Sequence, residues 1–493
     1  MKKFILSIDQ GTTGTTALII NKDNFKLIAK HNEEFPQIFP KPGWVEHNLN
    51  DIWDTVGTCI QKVLKKSNIN KNDIYSIGIT NQRETTCAYT KSGRPLANAI
   101  VWQDRRTSEF CIEKKDIYEE LKLKTGLPLD PYFSATKMNW FLKNNEDVKE
   151  AKQNDDLLFS TIDSFLLYKL TNCKEFKTEA SNASRTLLMD LDSCNWDEKL
   201  LNFFEIDSSL LPEISDSFSS FGKTEGLDFL PSGIPISCIL GDQQAALFGQ
   251  AGHSAGSLKC TYGTGAFILL NTGFKKQYST NGLLTTIAYK HKGKPVYALE
   301  GAAYIAGAAV QWLRDNLEIV KDASEVESLA LEVKDLSKVQ HLVFFPFFTG
   351  IGSPYWNSEA KGAIVGLTRD TGKAEIARAC LEGMAFSIND SISSLVEDSV
   401  NEVNVIKVDG GACANNLLMQ IQANISKKEI VRPKIIETTA YGVALGSLVG
   451  LNELEFEDIN SLWQKDESFT YEKDIYYEEK SKLWDEKVKK FFL

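Results

Sequence analysis

Eight residues, Asp9 to Thr16 with the sequence DQGTTGTT, lie between two short apolar runs, Phe4–Ile8 and Ala17–Ile20. Strand, tight turn, strand is the arrangement this pattern favours. The turn holds one carboxylate, two glycines and four hydroxyls. Glycine lets backbone N–H groups come close to a ligand, and threonine adds donors. Donors facing one way, with a carboxylate beside them, suit a nucleotide polyphosphate with Mg²⁺. The same residues also fit an ordinary hairpin with a polar turn, so the rest of the chain must decide.

At 493 residues the chain calls for two or more domains. A net charge of −11 speaks against a nucleic-acid partner, which wants a basic face, but leaves room for a local phosphate site. The nine cysteines form no CxxC pair, and their number is odd. Neither a disulfide framework nor a zinc site is expected, and a reducing compartment fits. The five histidines are scattered, without HExxH. The apolar run after Lys2-Lys3 is too short for a signal peptide. No stretch reaches the ~18 apolar residues of a membrane span. A soluble, cytoplasmic protein without a membrane partner is expected.

Taken in order, Lys26–Glu34 suggests a third strand, and Asn50 a cap for a helix reaching Lys65. Ile52, Val56, Ile60 and Val63 give that helix one apolar face. Ile74–Thr80 and Ala99–Trp102 read as strands running into polar clusters, Leu157–Leu170 as a helix, and Ile234–Leu240 as a strand ending at Gly241-Asp242-Gln243. Ala245–Gln250 then begins a helix. This alternation predicts an α/β sheet with ligands beyond the carboxyl ends of its strands. After residue 250 the opening motif returns: Leu258–Thr261, the turn Tyr262-Gly263-Thr264-Gly265, then Ala266–Leu270. Such an echo suggests a duplicated domain, with halves at 1–250 and 251–493. Further on, a helix is expected at Ala302–Leu313, a strand at Val343–Phe348, a long helix at Glu375–Leu395 and a strand at Val405–Val408. Asn415–Ile425 reads as the next helix, and Trp484, Val488 and Phe491 mark a short amphipathic one at the end.

Three glycine-rich polar turns therefore follow apolar strands: DQGTTG, TYGTG and DGGACANN. GxxxxGK[ST] and the HRD and DFG motifs of protein kinases are absent. Three such turns in two related halves favour a nucleotide site in a cleft between the halves. Ten ordered stretches then carry a family resemblance. They include IDQGTT at 8–13, KPGWVEH at 41–47, GITNQRETT at 78–86, NAIVWQDRRT at 98–107 and DPYFSATK at 130–137. Later come GDQQAALFGQ at 241–250, TYGTG at 261–265, NGLLTTIA at 281–288, AGAAVQWLRD at 306–315 and VDGGACANN at 408–416. The chain resembles the glycerol kinases of the FGGY carbohydrate kinase family almost end to end.

That resemblance implies two ribonuclease-H-like α/β domains of the actin/Hsp70/hexokinase ATPase type around a cleft. It implies ATP-dependent phosphorylation of glycerol to sn-glycerol 3-phosphate and ADP, with Mg²⁺. Arg83, Glu84, Tyr132, Asp242 and Gln243 match the residues on the glycerol hydroxyls, and Trp102 and Phe267 those packed on its carbons. Thr12, Thr13 and Gly14 match the first phosphate turn. Thr264, Gly307, Gln311, Gly411 and Asn415 match the other nucleotide contacts. Asp9 matches a carboxylate near the metal, shared with Asp242, and a homodimer or homotetramer is the implied assembly.

The chemistry of these residues agrees. A triol offers only hydroxyls, so Arg83 donors and Glu84 acceptors can clamp adjacent ones. Asp242, at the end of a buried strand, can accept the proton of the reacting hydroxyl. Phosphoryl transfer needs mainly in-line positioning and charge neutralisation. Taken singly, each residue has a plainer use: a surface ion pair for Arg83-Glu84, core packing for Trp102, a helix cap for Asp242. Two departures from the family pattern stand out. Thr16 occupies the position of an arginine that touches nucleotide phosphates in many members. The segment 226–233 reads GLDFLPSG, with neither the basic residues of a fructose 1,6-bisphosphate loop nor a phosphorylatable histidine. Both control modes are expected to be absent. The alternatives are an FGGY kinase for a larger polyol or sugar, and a non-catalytic ATP-regulated binding protein of the Hsp70 or actin type.

Overall fold

The two apolar runs around the opening turn become the strands Phe4–Gln10 and Gly14–Asn21, paired antiparallel with Asp9 opposite Thr16. The computed structural model describes residues 2–493 and resolves them into two α/β units. The first unit comprises residues 1–251 together with Thr285–Tyr297 and Thr438–Leu462; the second comprises the remainder.

In the first unit a five-stranded sheet runs in the order Ile236–Gly241, Ile74–Asn81, Phe4–Gln10, Gly14–Asn21, Leu27–Glu34. The first three are mutually parallel and the last two antiparallel. The parallel strands read as nearly continuous apolar runs because both faces are covered. The helix Leu49–Ser67 covers one face through buried Ile52, Val56, Ile60 and Val63. The helix Thr438–Gly450 lies against the sheet as well. Its Gly442, Gly446 and Gly450 fall one turn apart. A Cβ there would collide with the Ala245 carbonyl, the Cys238 sulfur and the Ser237 carbonyl, so this helix approaches through its backbone.

Several expectations need correction. The first helix is capped by Asn48, whose side chain accepts from Asn50 N at 2.9 Å; Asn50 is inside the helix. The strand expected at Ala99–Trp102 shrinks to Ala99–Ile100, paired with Glu46–His47 outside the main sheet, and Trp102 falls in a turn. Leu157–Leu170 is not one helix. Leu157–Ser160 is a strand paired with Cys87–Thr90, and the helix begins at Ile162. The apolar run Leu157-Leu158-Phe159 is too short to show a period, so periodicity could not separate it from the helix that follows. The helix placed at Ala245 starts at Asp242 itself.

The second unit repeats the plan. Its sheet contains, in order, Lys294–Ala303, Ala266–Gly273, Leu258–Tyr262, Val405–Asp409, Glu429–Pro433 and Lys465–Phe469. Leu258–Tyr262, Val405–Asp409 and Glu429–Pro433 are parallel, and Ala266–Gly273 folds back antiparallel. The hairpin after residue 250 is thus a true echo of the first. The helix expected at Ala302 starts at Gly307, because Ala302 and Ala303 complete the preceding strand. The helix Lys373–Asp398 buries Leu381, Met384, Ile388, Ile392 and Leu395. The terminal helix Ile475–Phe491 inserts Trp484, 1% exposed, against Phe386 with ring centroids 5.4 Å apart.

The division at residue 250 is one residue from the end of the first unit's opening segment, but the second half is not continuous. Thr285 N donates to the Gly126 carbonyl at 3.0 Å, which draws the hairpin 285–297 to the first unit. The glycine-faced helix returns to the first sheet for the packing reason given above. Among the described residues no helix is long and apolar enough to cross a membrane.

Candidate active site

Three parallel strands of the first unit end side by side, with Gln10 opposite Asn81 and Asn81 opposite Gly241. The first turn, Arg83-Glu84 and Asp242-Gln243 continue from these ends. Residues far apart in sequence are thereby delivered to the carboxyl edge of one sheet, where α/β proteins bind ligands.

Arg83 Nε lies 3.2 Å from Asp242 Oδ1, and Arg83 also donates to Gln244 Oε1 at 3.3 Å. The guanidinium is almost fully buried while the carboxylate side chain keeps 29% exposure. Gly241 makes room for this pair, since a Cβ there would meet Arg83 Cδ at 2.7 Å. Asp242 Oδ1 also accepts from Gln243 N at 2.7 Å. Glu84 is buried and holds φ +62°, a conformation that residues other than glycine seldom adopt. Its carbonyl accepts from Ser134 Oγ at 2.8 Å, and its carboxylate from Arg185 Nε at 2.6 Å. The rings of Trp102 and Tyr132 meet edge-on at 5.5 Å, giving the donors and acceptors an aromatic wall. Six of the seven expected polyol-binding residues therefore share the first unit. Phe267 lies on the strand Ala266–Gly273 of the second.

The first turn is braced from below. Gln37 Nε2 donates to the Thr12 carbonyl at 3.1 Å, and Gln37 Oε1 lies 2.7 Å from His47 Nε2. His47 Nδ1 lies 3.3 Å from Gln82 Nε2, which also reaches Gln10 Oε1 at 3.0 Å. Burial pushes the His47 pKa down to about 4, so the ring is neutral, donating through Nε2 and accepting at Nδ1. Thr12 Oγ1 accepts from the Trp102 indole at 3.0 Å, Thr13 is exposed, and Gly14 begins the returning strand. Thr16 Oγ1 accepts from Asn32 Nδ2 at 2.9 Å.

The second unit holds a cavity of about 470 Å³. Tyr262, Gly263 and Thr264 of the second turn line it, with Gly307 and Gln311 of the helix Gly307–Asp315, and Gly411 and Asn415 after the strand Val405–Asp409. All five nucleotide residues expected in this half thus face one space. Gly410, at φ +85°, packs against Tyr262 so closely that a Cβ would meet the Tyr262 carbonyl at 2.6 Å. Val310, Val326, Leu381, Met384 and Leu418 form an apolar wall suited to a flat base. The lining contains no lysine or arginine, so phosphates there would meet backbone N–H groups and hydroxyls. Asp9 and Asp242 are both partly exposed, and the protein contacts of Asp242 fall on Oδ1. Among the described residues no three His, Cys, Asp or Glu side chains converge as a metal cage. One or two carboxylates are what Mg²⁺ commonly takes, with phosphates and water completing its shell.

Residues 4–249 match the N-terminal domain of the FGGY family of carbohydrate kinases, and residues 258–451 match its C-terminal domain. The chain belongs to the FGGY family of carbohydrate kinases. Among its FGGY relatives, the glycerol kinase of Bdellovibrio bacteriovorus is 48% identical over 474 residues, 95% of each chain. That of Desulforamulus reducens is 46% identical over 489 residues, 98% of this chain and 96% of its own. A crystal structure of Plasmodium falciparum glycerol kinase with ADP superposes with a TM-score of 0.89 at 36% identity, covering 99% of this chain and 98% of that one. A xylulose kinase from Lactobacillus acidophilus reaches 0.87 at 22% identity and 98% of its chain, a likeness of fold alone.

Three residues of this FGGY site escape motif reading. Arg185 joins Glu84 from 101 positions further along the chain. Lys137 is fully buried and donates to the Tyr132 carbonyl at 2.8 Å; burial pulls its pKa down to about 7 against the opposing pull of Asp104 and Glu84. His47 lies within the KPGWVEH stretch, but nothing in the sequence shows that it threads two glutamines. The available signal for Arg185 was its place in a segment rich in Ser, Thr and Asn, which marks polar burial without saying against what.

Proposed function

We propose that the chain is an ATP-dependent glycerol kinase, forming sn-glycerol 3-phosphate and ADP in the cytoplasm. The observation that carries the proposal is the Arg83–Asp242 contact beside Glu84 and the Trp102–Tyr132 wall. The glycerol kinases named above, alike over nearly the whole chain, support it. Nine free thiols suit a reducing compartment.

In this scheme Arg83 donates to one glycerol hydroxyl and Glu84 accepts from it or its neighbour, while Gln243 adds a polar contact. Trp102, Tyr132 and Phe267 pack on the carbon chain. Asp242 accepts the proton of the terminal hydroxyl as its oxygen bonds to the γ-phosphorus and the bond to the ADP oxygen breaks. Arg83, held on Asp242 Oδ1, keeps that carboxylate oriented. Thr264, Gly307, Gln311, Gly411 and Asn415 hold the nucleotide, and Thr13 and Gly14, with the backbone of Thr12, meet its phosphates from the first turn. Asp9 and Asp242 would hold Mg²⁺, which when bound neutralises charge on the phosphate oxygens.

A coupled ADP-release assay tests this reading on a panel of glycerol, erythritol, xylitol and a pentulose. Glycerol is expected to give the highest kcat/KM. Faster turnover of a larger polyol or sugar moves the substrate elsewhere in the FGGY family. ATP binding without any acceptor-dependent ADP release leaves a binding protein.

A further inference from the structure

We infer that Arg185 is a positioning residue for Glu84, and that the short segment 179–185 sets the geometry of the polyol site; this rests on the glycerol reading. Arg185 is 0% exposed, and its Nε reaches Glu84 Oε1 at 2.6 Å. The guanidinium sits 5.3 Å from the Phe133 ring and 5.6 Å from the Tyr132 ring. Aromatic faces on one side and a carboxylate on the other leave the planar group little freedom. Glu84 in turn is kept in its left-handed conformation from both ends, by Ser134 on its carbonyl and Arg185 on its carboxylate. Unusual backbone of this kind persists only where the surroundings over-determine it.

The same segment grips both strand ends. Asn182 exchanges amide hydrogen bonds with Asn81, two residues before Arg83, at 2.9 and 3.2 Å. Ser181 Oγ accepts from Gly241 N, the residue before Asp242, at 3.0 Å. Glu179 caps the helix Ala180–Ala183 by accepting from the Ser181 and Asn182 backbones at 2.7 Å each. One short element therefore holds the approaches to Arg83 and Asp242, and its last side chain holds Glu84. Arg185 touches no substrate in this scheme. It fixes the rotation of the carboxylate that accepts from a hydroxyl, so its loss falls on glycerol through Glu84.

A double-mutant cycle of Arg185→Met and Glu84→Gln tests this, with steady-state kinetics on glycerol and ATP and thermal melts of each variant. Wild type must first release ADP with glycerol; failure there overturns the glycerol reading and this inference together. Given activity, each single variant is expected to lower kcat/KM for glycerol roughly 10- to 100-fold while the ATP KM moves by less than about twofold. In the Glu84→Gln background Arg185→Met should cost no more than about threefold further. Arg185→Lys keeps charge without the planar fork and should recover part of the loss. If Arg185→Met does not fold, Arg185→Lys replaces it in the cycle with the same coupling expected. Multiplicative losses in the double variant, an equal rise in the ATP KM, or unchanged glycerol kinetics in a folded Arg185 variant would overturn the positioning role alone.

Discussion

The indole N–H of Trp102 donates to Thr12 Oγ1 across 3.0 Å, tying the first glycine-threonine turn to the Trp102–Tyr132 wall of the proposed polyol site. Thr12 was expected at phosphate. Its hydroxyl is engaged by Trp102, 90 positions further along the chain, which leaves the Thr12 backbone for the phosphates of the proposed site. Thr12→Val keeps the shape and removes the acceptor. Losing one such bond is worth about 0.5–1.5 kcal/mol, so kcat/KM for glycerol should fall roughly 2- to 12-fold. The ATP KM should stay within about twofold. A raised ATP KM with intact glycerol kinetics would place the Thr12 hydroxyl on the phosphates.

His47 makes the fold sensitive to acid. Its pKa is pushed from 6.5 to about 4 by burial, so between these values the unfolded chain binds the proton and the folded chain does not. Stability is then fully present above pH 6.5 and declines as pH falls toward 4, by roughly 3 kcal/mol from this group. His47→Gln removes the titration. Urea denaturation across this range should show wild type more stable at pH 7.5 and the difference narrowing toward pH 4. A difference that widens with acid would contradict a neutral, buried imidazole.

Gly411 offers a clean separation of folding from nucleotide binding. A Cβ built there meets nothing within 4 Å, yet the residue lines the cavity of the second unit. Gly411→Val should therefore leave the melting temperature within a few degrees of wild type. The ATP KM should rise about tenfold or more, with the glycerol KM little changed. Calorimetric titration with ADP gives the same comparison without turnover. Undiminished ADP affinity would place the nucleotide elsewhere.

Much of this was legible in the chain. Strand, glycine turn, strand appears twice because the alternation of apolar run and Gly/Thr cluster is local. The residues after each strand are legible because sheets deliver ligands to strand ends. What local patterns hide is the return of chain to an earlier sheet. Thr438–Gly450 packs on the first unit through a glycine face whose partners lie some two hundred residues upstream. The hairpin 285–297 joins the first unit through Gly126 for the same kind of reason. Arg185 was illegible because an arginine in a polar stretch looks solvated until Phe133 and Glu84 close over it. The strand at Leu157–Ser160 opens on only three apolar residues, too few to show a period, and at Asn48 the cap was one of two asparagines two residues apart.

Asp242→Asn separates binding from chemistry more directly than any other substitution. The amide keeps an oxygen to accept from Gln243 N and face Arg83, so glycerol affinity by calorimetry should stay within about threefold of wild type. It cannot take the hydroxyl proton, and single-turnover formation of glycerol 3-phosphate should slow by about 10²- to 10⁴-fold. Near-normal turnover in this variant would contradict Asp242 as the base; glycerol binding lost together with turnover would contradict the separation of its role from that of Arg83 and Glu84.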